Sequence, residues 1–187
     1  MTLLEIYNLA LRPHGKRCKE SDLQAENPPY EVELCNTYYR SAVRKALGEA
    51  DWPEVTRYVK PVEAEGFPKG RWSHAYMLPK NISRVAVKST KPYDLAPGVF
   101  LSDSDDPEIY VISSQFECEK ASDGLCELVG LALAYLLCGL LSPADNNISQ
   151  VIMQSYNWAL SPMVSAISTS ELRDEEEGGP VGFKYFV

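Results

Sequence analysis

Nucleophilic catalysis needs a base beside the attacking group, and this chain of 187 residues has only two histidines to offer, His14 and His74. His14 falls in an Arg-Pro-His-Gly loop and His74 in a run with strand-like alternation. Either can orient a nucleophile in principle, but no Gly-x-Ser-x-Gly turn accompanies them, so a structural histidine is the favoured reading of both. Neither a Walker A loop nor a G-x-G-x-x-G turn occurs, which excludes nucleotide binding by those routes. The acidic stretch Asp103-Ser104-Asp105-Asp106-Pro107-Glu108 invites a calcium reading, yet an EF-hand loop needs a ligand and then Gly where Pro107 and Glu108 stand. A solvated turn is expected there. Glu117 and Glu119 imitate a glycosidase pair, but two carboxylates two residues apart do not flank a scissile bond. The five cysteines, at positions 18, 35, 118, 126 and 138, contain no C-x-x-C pair. They read as reduced, mostly buried thiols of a cytosolic product. No catalytic residue, metal site or cofactor is therefore expected, and the chain reads as a non-enzyme.

Charge narrows the partners. The net charge of −8 argues against a sequence reader that wraps DNA phosphates. The imbalance is local: residues 121–170 hold three acids, Asp123, Glu127 and Asp145, and no Lys or Arg. The 11 tyrosines and 3 tryptophans suggest base stacking, but most fall on helix stripes or strand faces, where core packing explains them. The N-terminus lacks the basic and apolar regions of a secretory signal. The uninterrupted apolar run from Leu128 to Leu141 is 14 residues, below the ~20 of a membrane span, and reads as a core helix.

These residues must be positioned by alternating helical and extended elements. Thr2 with Glu5 forms a capping box for a helix over 3–11, closed by Arg12-Pro13-His14-Gly15. Residues 16–29 read as a loop. A helix over 30–47 shows two apolar columns, Leu34/Tyr38/Ala42/Ala46 and Cys35/Tyr39/Val43/Leu47. From 54 to 114 the period switches to two, in β-branched and aromatic runs separated by Pro, Gly and Asp, which predicts an antiparallel sheet of three to five strands. Helices return over 122–139 and 143–169, the second with Ser142 as N-cap, Pro143 at its first position and a kink at Pro162. The expected fold is mainly α with an inserted antiparallel β-rich lobe, an α+β chain. Residues 1–170 read as one domain and 171–187 as a flexible C-terminal arm. That arm joins the acids 174–177 and Gly178-Gly179-Pro180 to an aromatic end, with Phe183, Tyr185 and Phe186 as candidate partner-docking residues.

The order of these pieces is informative. Tyr7, Asn8, Ala10 and Leu11 close the first helix; Tyr38-Tyr39-Arg40-x-Ala42 leads to a Trp52-Pro53 stop. Tyr76-Met77-Leu78-Pro79, Ile82-Ser83-Arg84-Val85 and Glu108-Ile109-Tyr110-Val111 mark strands. Ala132-x-Ala134-Tyr135-Leu136 precedes Ser142-Pro143. The ordered set resembles tail tubular protein A, the head-to-tail adaptor family of short-tailed bacteriophages, over about residues 3–170. Pro162 and the Val181–Val187 end depart from the family pattern. The resemblance implies a structural virion protein of the tail neck, made in the host bacterial cytoplasm: a helical-bundle subunit of a ring, usually a dodecamer. Its implied partners are the portal, the tail nozzle protein and further copies of itself, without a membrane. Double-stranded DNA would pass through the lumen without specific binding, during genome retention and ejection. Asp123, Glu127 and Asp145 are then candidate channel-lining acids, since carboxylates let DNA slide rather than stick; they equally suit the rim of a buried core. The alternative function is a tail-associated cell-wall hydrolase.

Overall fold

The computed structural model describes residues 1–88, 92–143 and 145–176. Phe183, Tyr185 and Phe186 lie outside the described residues. The fold is mixed α+β. Helices α1 (Leu3–Leu11), α2 (Glu20–Leu23) and α3 (Tyr30–Leu47) precede six strands, and α4 (Asp123–Leu141) and α5 (Asn146–Glu176) follow them. The chain divides into a helical unit, Met1–Ala50 with Phe116–Ser168, and a second unit that contains Asp51–Gln115.

In the helical unit, local chemistry starts α1. The Thr2 hydroxyl accepts from the Glu5 N–H at 3.3 Å while the Glu5 carboxylate accepts from the Thr2 N–H at 2.7 Å, satisfying two donors that the helix leaves open. α3 buries Val32, Cys35, Ala42, Val43, Ala46 and Leu47, a stripe at helical spacing. The segment expected to be a loop over 16–29 contains the one-turn α2, because the Asp22 carboxylate accepts from the Lys19 N–H at 2.7 Å and closes the turn.

α4 is the core of this unit. Leu125, Leu128, Leu133 and Leu137 are fully buried, each stabilising by roughly 1.5–3 kcal/mol relative to exposure. The helix is 19 residues, long and apolar enough to cross a membrane by length and composition, so its length does not exclude a span as the shorter apolar run suggested. Its burial against α1 and α3 assigns it to the core. At Gly130 the α1 helix comes so close that a Cβ would stand 2.6 Å from Leu9 Cδ2.

The start of the last helix corrects the sequence reading. Ser142 does not cap α5; it terminates α4, with its N–H donated to Cys138 O at 3.0 Å and its hydroxyl 3.0 Å from His14 Nδ1. Asp145 takes the cap instead, its Oδ1 accepting from the Asn147 N–H at 3.0 Å. α5 continues as helix past Pro162 to Glu176, beyond the expected end at 169.

The second unit holds β1 (Thr56–Val59), β2 (His74–Met77), β3 (Ile82–Lys88), β4 (Tyr93–Ala96), β5 (Val99–Ser102) and β6 (Glu108–Ser113). Instead of one sheet of three to five strands they form two antiparallel three-stranded sheets, ordered β1-β6-β3 and β2-β5-β4. β4 is the strand that the period could not show: four residues between Pro92 and Pro97 are too short for a visible alternation. Ala96 pairs with Val99, so Pro97-Gly98 is the whole loop, and Gly98 at φ 75 supplies the positive dihedral that such a turn needs after proline. β5 is buried along its whole length and β6 at four of its six residues, and Tyr76, Phe100, Ile109 and Val111 form one apolar cluster drawn from both sheets.

Candidate functional site

The three acids singled out in the Lys- and Arg-free region do not converge. Asp123 and Glu127 are one helical turn apart at the start of α4, both exposed, and the Asp123 carboxylate lies 2.9 Å from the terminal amine of Met1. Asp145 lies beyond the other end of α4, about 27 Å along an 18-step helix rise. It is engaged as the cap of α5. α4 itself is buried, so its two acids stand at the rim of the core.

Each histidine is held in place. His14 Nε2 lies 3.1 Å from Ala134 O and Nδ1 3.0 Å from the Ser142 hydroxyl. The carbonyl can only accept, so Nε2–H donates to it, and in the neutral ring Nδ1 accepts a hydrogen bond from the Ser142 hydroxyl. This is a Ser–His hydrogen bond oriented by a backbone carbonyl, and its evident work is to tie the loop after α1 to the end of α4. His74 lies between two carboxylates, Nε2 at 2.8 Å from Asp105 Oδ1 and Nδ1 at 3.8 Å from Glu63 Oε1. Its ring stacks on Tyr76 with centroids 5.9 Å apart. The two carboxylates occupy opposite ring nitrogens, a geometry that braces the ring instead of converging on one ion. Nearby, Asp103 accepts both the N–H and the hydroxyl of Ser73 at 2.9 Å, which holds its carboxyl below the ordinary range.

Of the cysteines, Cys18, Cys35, Cys126 and Cys138 are buried, Cys118 is half-buried, and all five are free thiols. Burial pushes Cys35 up to about 12, far from a reactive thiolate.

The feature that sequence reasoning passed over is the outer face of α5. Its inner face carries Ile152 and Tyr156, both buried, and Met163, which closes over Gly124. The Tyr156 hydroxyl donates to Glu49 Oε1 at 3.1 Å, and Lys45 Nζ sits 5.1 Å from its ring centroid. Burial, with the Glu49 carboxylate beside it, raises the Tyr156 hydroxyl above the ordinary tyrosine value. Seven residues apart on the opposite face stand Val151, 59% exposed, and Trp158, 87% exposed. Between and beyond them, the Ser155 and Ser165 hydroxyls donate to Val151 O and Ser161 O at 2.9 Å, turning their polar atoms back onto the helix. From Asn146 to Ser170 there is no Asp, Glu, Lys, Arg or His. The signal was available: a tryptophan inside a 25-residue stretch without one Asp, Glu, Lys, Arg or His is unusual for a helix that faces water. Compared with known proteins, the chain matches no family model and no curated sequence.

Proposed function

We propose that this chain is a non-enzymatic structural subunit of a phage virion, a head-to-tail adaptor that forms a ring between portal and tail nozzle and contributes to the DNA channel. The observation that carries the assembly role is the 146–170 stretch of α5, which has no Asp, Glu, Lys, Arg or His and exposes Trp158 and Val151. Tryptophan is among the residues most often found as the energetic anchor of an interface. A stretch without these charged side chains lets subunits of net charge −8 meet without desolvating charge, away from the acids that repel like copies. The place in the particle, between portal and nozzle, rests on the ordered resemblance from Tyr7 to Pro143.

Sizing by light scattering, with and without a purified portal ring, tests this reading. The expected result is a monomer or weak oligomer alone and a closed ring on the portal. Failure to associate with the portal, together with clearing of peptidoglycan in a zymogram, favours the hydrolase alternative and overturns the adaptor.

A further inference from the structure

Between the outer side of α1 and the loop that follows it lies a cavity of about 630 Å³. Its walls follow from local chemistry. Gly15, at φ 66, reverses the chain, and the Lys16 N–H bonds back to Leu11 O at 3.1 Å. Asn8 then clamps the loop with both ends of its amide, Nδ2 donating to Cys18 O at 3.1 Å and Oδ1 accepting from the Cys18 N–H at 2.9 Å. The clamp brings Lys16 and Arg17 to line this cavity together with Arg12 and the apolar Leu4 and Leu9; Glu5 also lines it, its carboxylate already accepting from the Thr2 N–H at 2.7 Å. Leu9 is held from behind by its contact with α4 at Gly130.

Residues 12–19 contain four bases and no acid, in a chain that is acidic as a whole. Lys16 is paired with Glu31 at 3.0 Å, whereas neither Arg12 nor Arg17 has a carboxylate partner among the described residues. Two exposed guanidinium groups beside an apolar recess of this size suit a ligand with carboxylates next to large apolar side chains. The chain carries such a segment itself: Asp174 to Glu177, then Phe183, Tyr185 and Phe186.

We propose that this cavity is the receiving site for the acidic, aromatic C-terminal segment 171–187 of a second copy of the chain. Charge complementarity selects the occupant: carboxylates at 174–177 meet Arg12 and Arg17, and an aromatic side chain fills the recess over Leu4 and Leu9. One surface gives and a different one receives, so the contact is heterologous and generates a ring when the rotation closes. The choice of a second copy rests on the reading of the chain as a ring subunit.

The test mixes full-length chain of natural isotope content with 15N-labelled full-length chain on a purified portal ring, where the copies are expected to meet, and treats the mixture with a carbodiimide, which couples amines to adjacent carboxylates. Mass spectrometry should find Lys16 joined to the 174–177 acids in mixed-isotope pairs. The R12E/R17E variant should reduce those pairs about tenfold, the usual scale for lost interfacial charge pairs. The Lys16–Glu31 link, already in contact at 3.0 Å, should persist as the internal reference for folding and reactivity. The milder R12Q/R17Q variant should give an intermediate loss. Links found only within one isotope, no links, or links indifferent to R12E/R17E overturn the proposal. Portal-dependent ring formation is scored separately on the same samples. Rings without these links remove the site and leave the adaptor reading; links without rings do the reverse.

Discussion

Gly130→Ala is the most demanding test of how α1 docks on α4. Two effects oppose each other. Alanine in a helix interior gains up to ~1 kcal/mol over glycine through backbone entropy. Against that, the new Cβ would stand 2.6 Å from Leu9 Cδ2, 3.2 Å from Cγ and 3.3 Å from Cβ, so the whole side chain must move and not only its tip. Overpacking of this kind costs about 1–3 kcal/mol, so G130A should be neutral to ~2 kcal/mol destabilised. Gly139, on the same helix, is exposed with nothing within 4 Å of a built Cβ. G139A should therefore show only the propensity gain, so the two variants should differ by roughly 1–3 kcal/mol in opposite senses. Urea unfolding followed by circular dichroism at 222 nm measures both at a common slope. The double variant L9A/G130A should lose most of the G130A penalty, because the clash partner is gone. If G130A proves as stable as G139A, or if Leu9→Ala leaves its penalty intact, the packing argument is wrong.

Three further outcomes follow from the geometry. W158E should keep the wild-type melting temperature, since the ring is 87% exposed, but should abolish ring formation on the portal by light scattering. Folded-state lowering of Asp103 by the Ser73 donors and of Glu63 by Lys69 means these groups favour the native state above the ordinary carboxylate values, and that contribution is lost as pH falls through and below them. Thermal melts from pH 6 to pH 3 should therefore fall, and less steeply in the D103N variant; an unchanged slope refutes the assignment. A disulfide-exchange reagent at pH 8 should modify Cys118 first, with Cys35 slowest because its buried thiol is held near 12; rapid loss of all five thiols contradicts the burial.

Local sequence determined the elements whose signals lie within a turn or two of one another. Thr2 and Glu5 satisfy each other three residues apart, and the two apolar columns of α3 need only the helix period to find a common face. The change of period after Pro53 separated strands from helices, because a side chain's face in either element is set by its immediate backbone. Tertiary contacts decided the rest. Ser142 had every local mark of an N-cap, but His14, 128 residues earlier, takes its hydroxyl, and the cap passes to Asp145. β4 exists because β5 offers it a ladder of partners, not because Tyr93–Ala96 has a readable pattern. Asp123, Glu127 and Asp145 are grouped by charge counting, yet the length of α4 separates Asp145 from the other two. The exposed face of α5 and the cavity lined by Arg12, Lys16 and Arg17 were visible as composition but not as surfaces. Which side of a helix meets water, and where a loop folds back on one, depends on partners distant in the chain, and those are chosen only when the core closes.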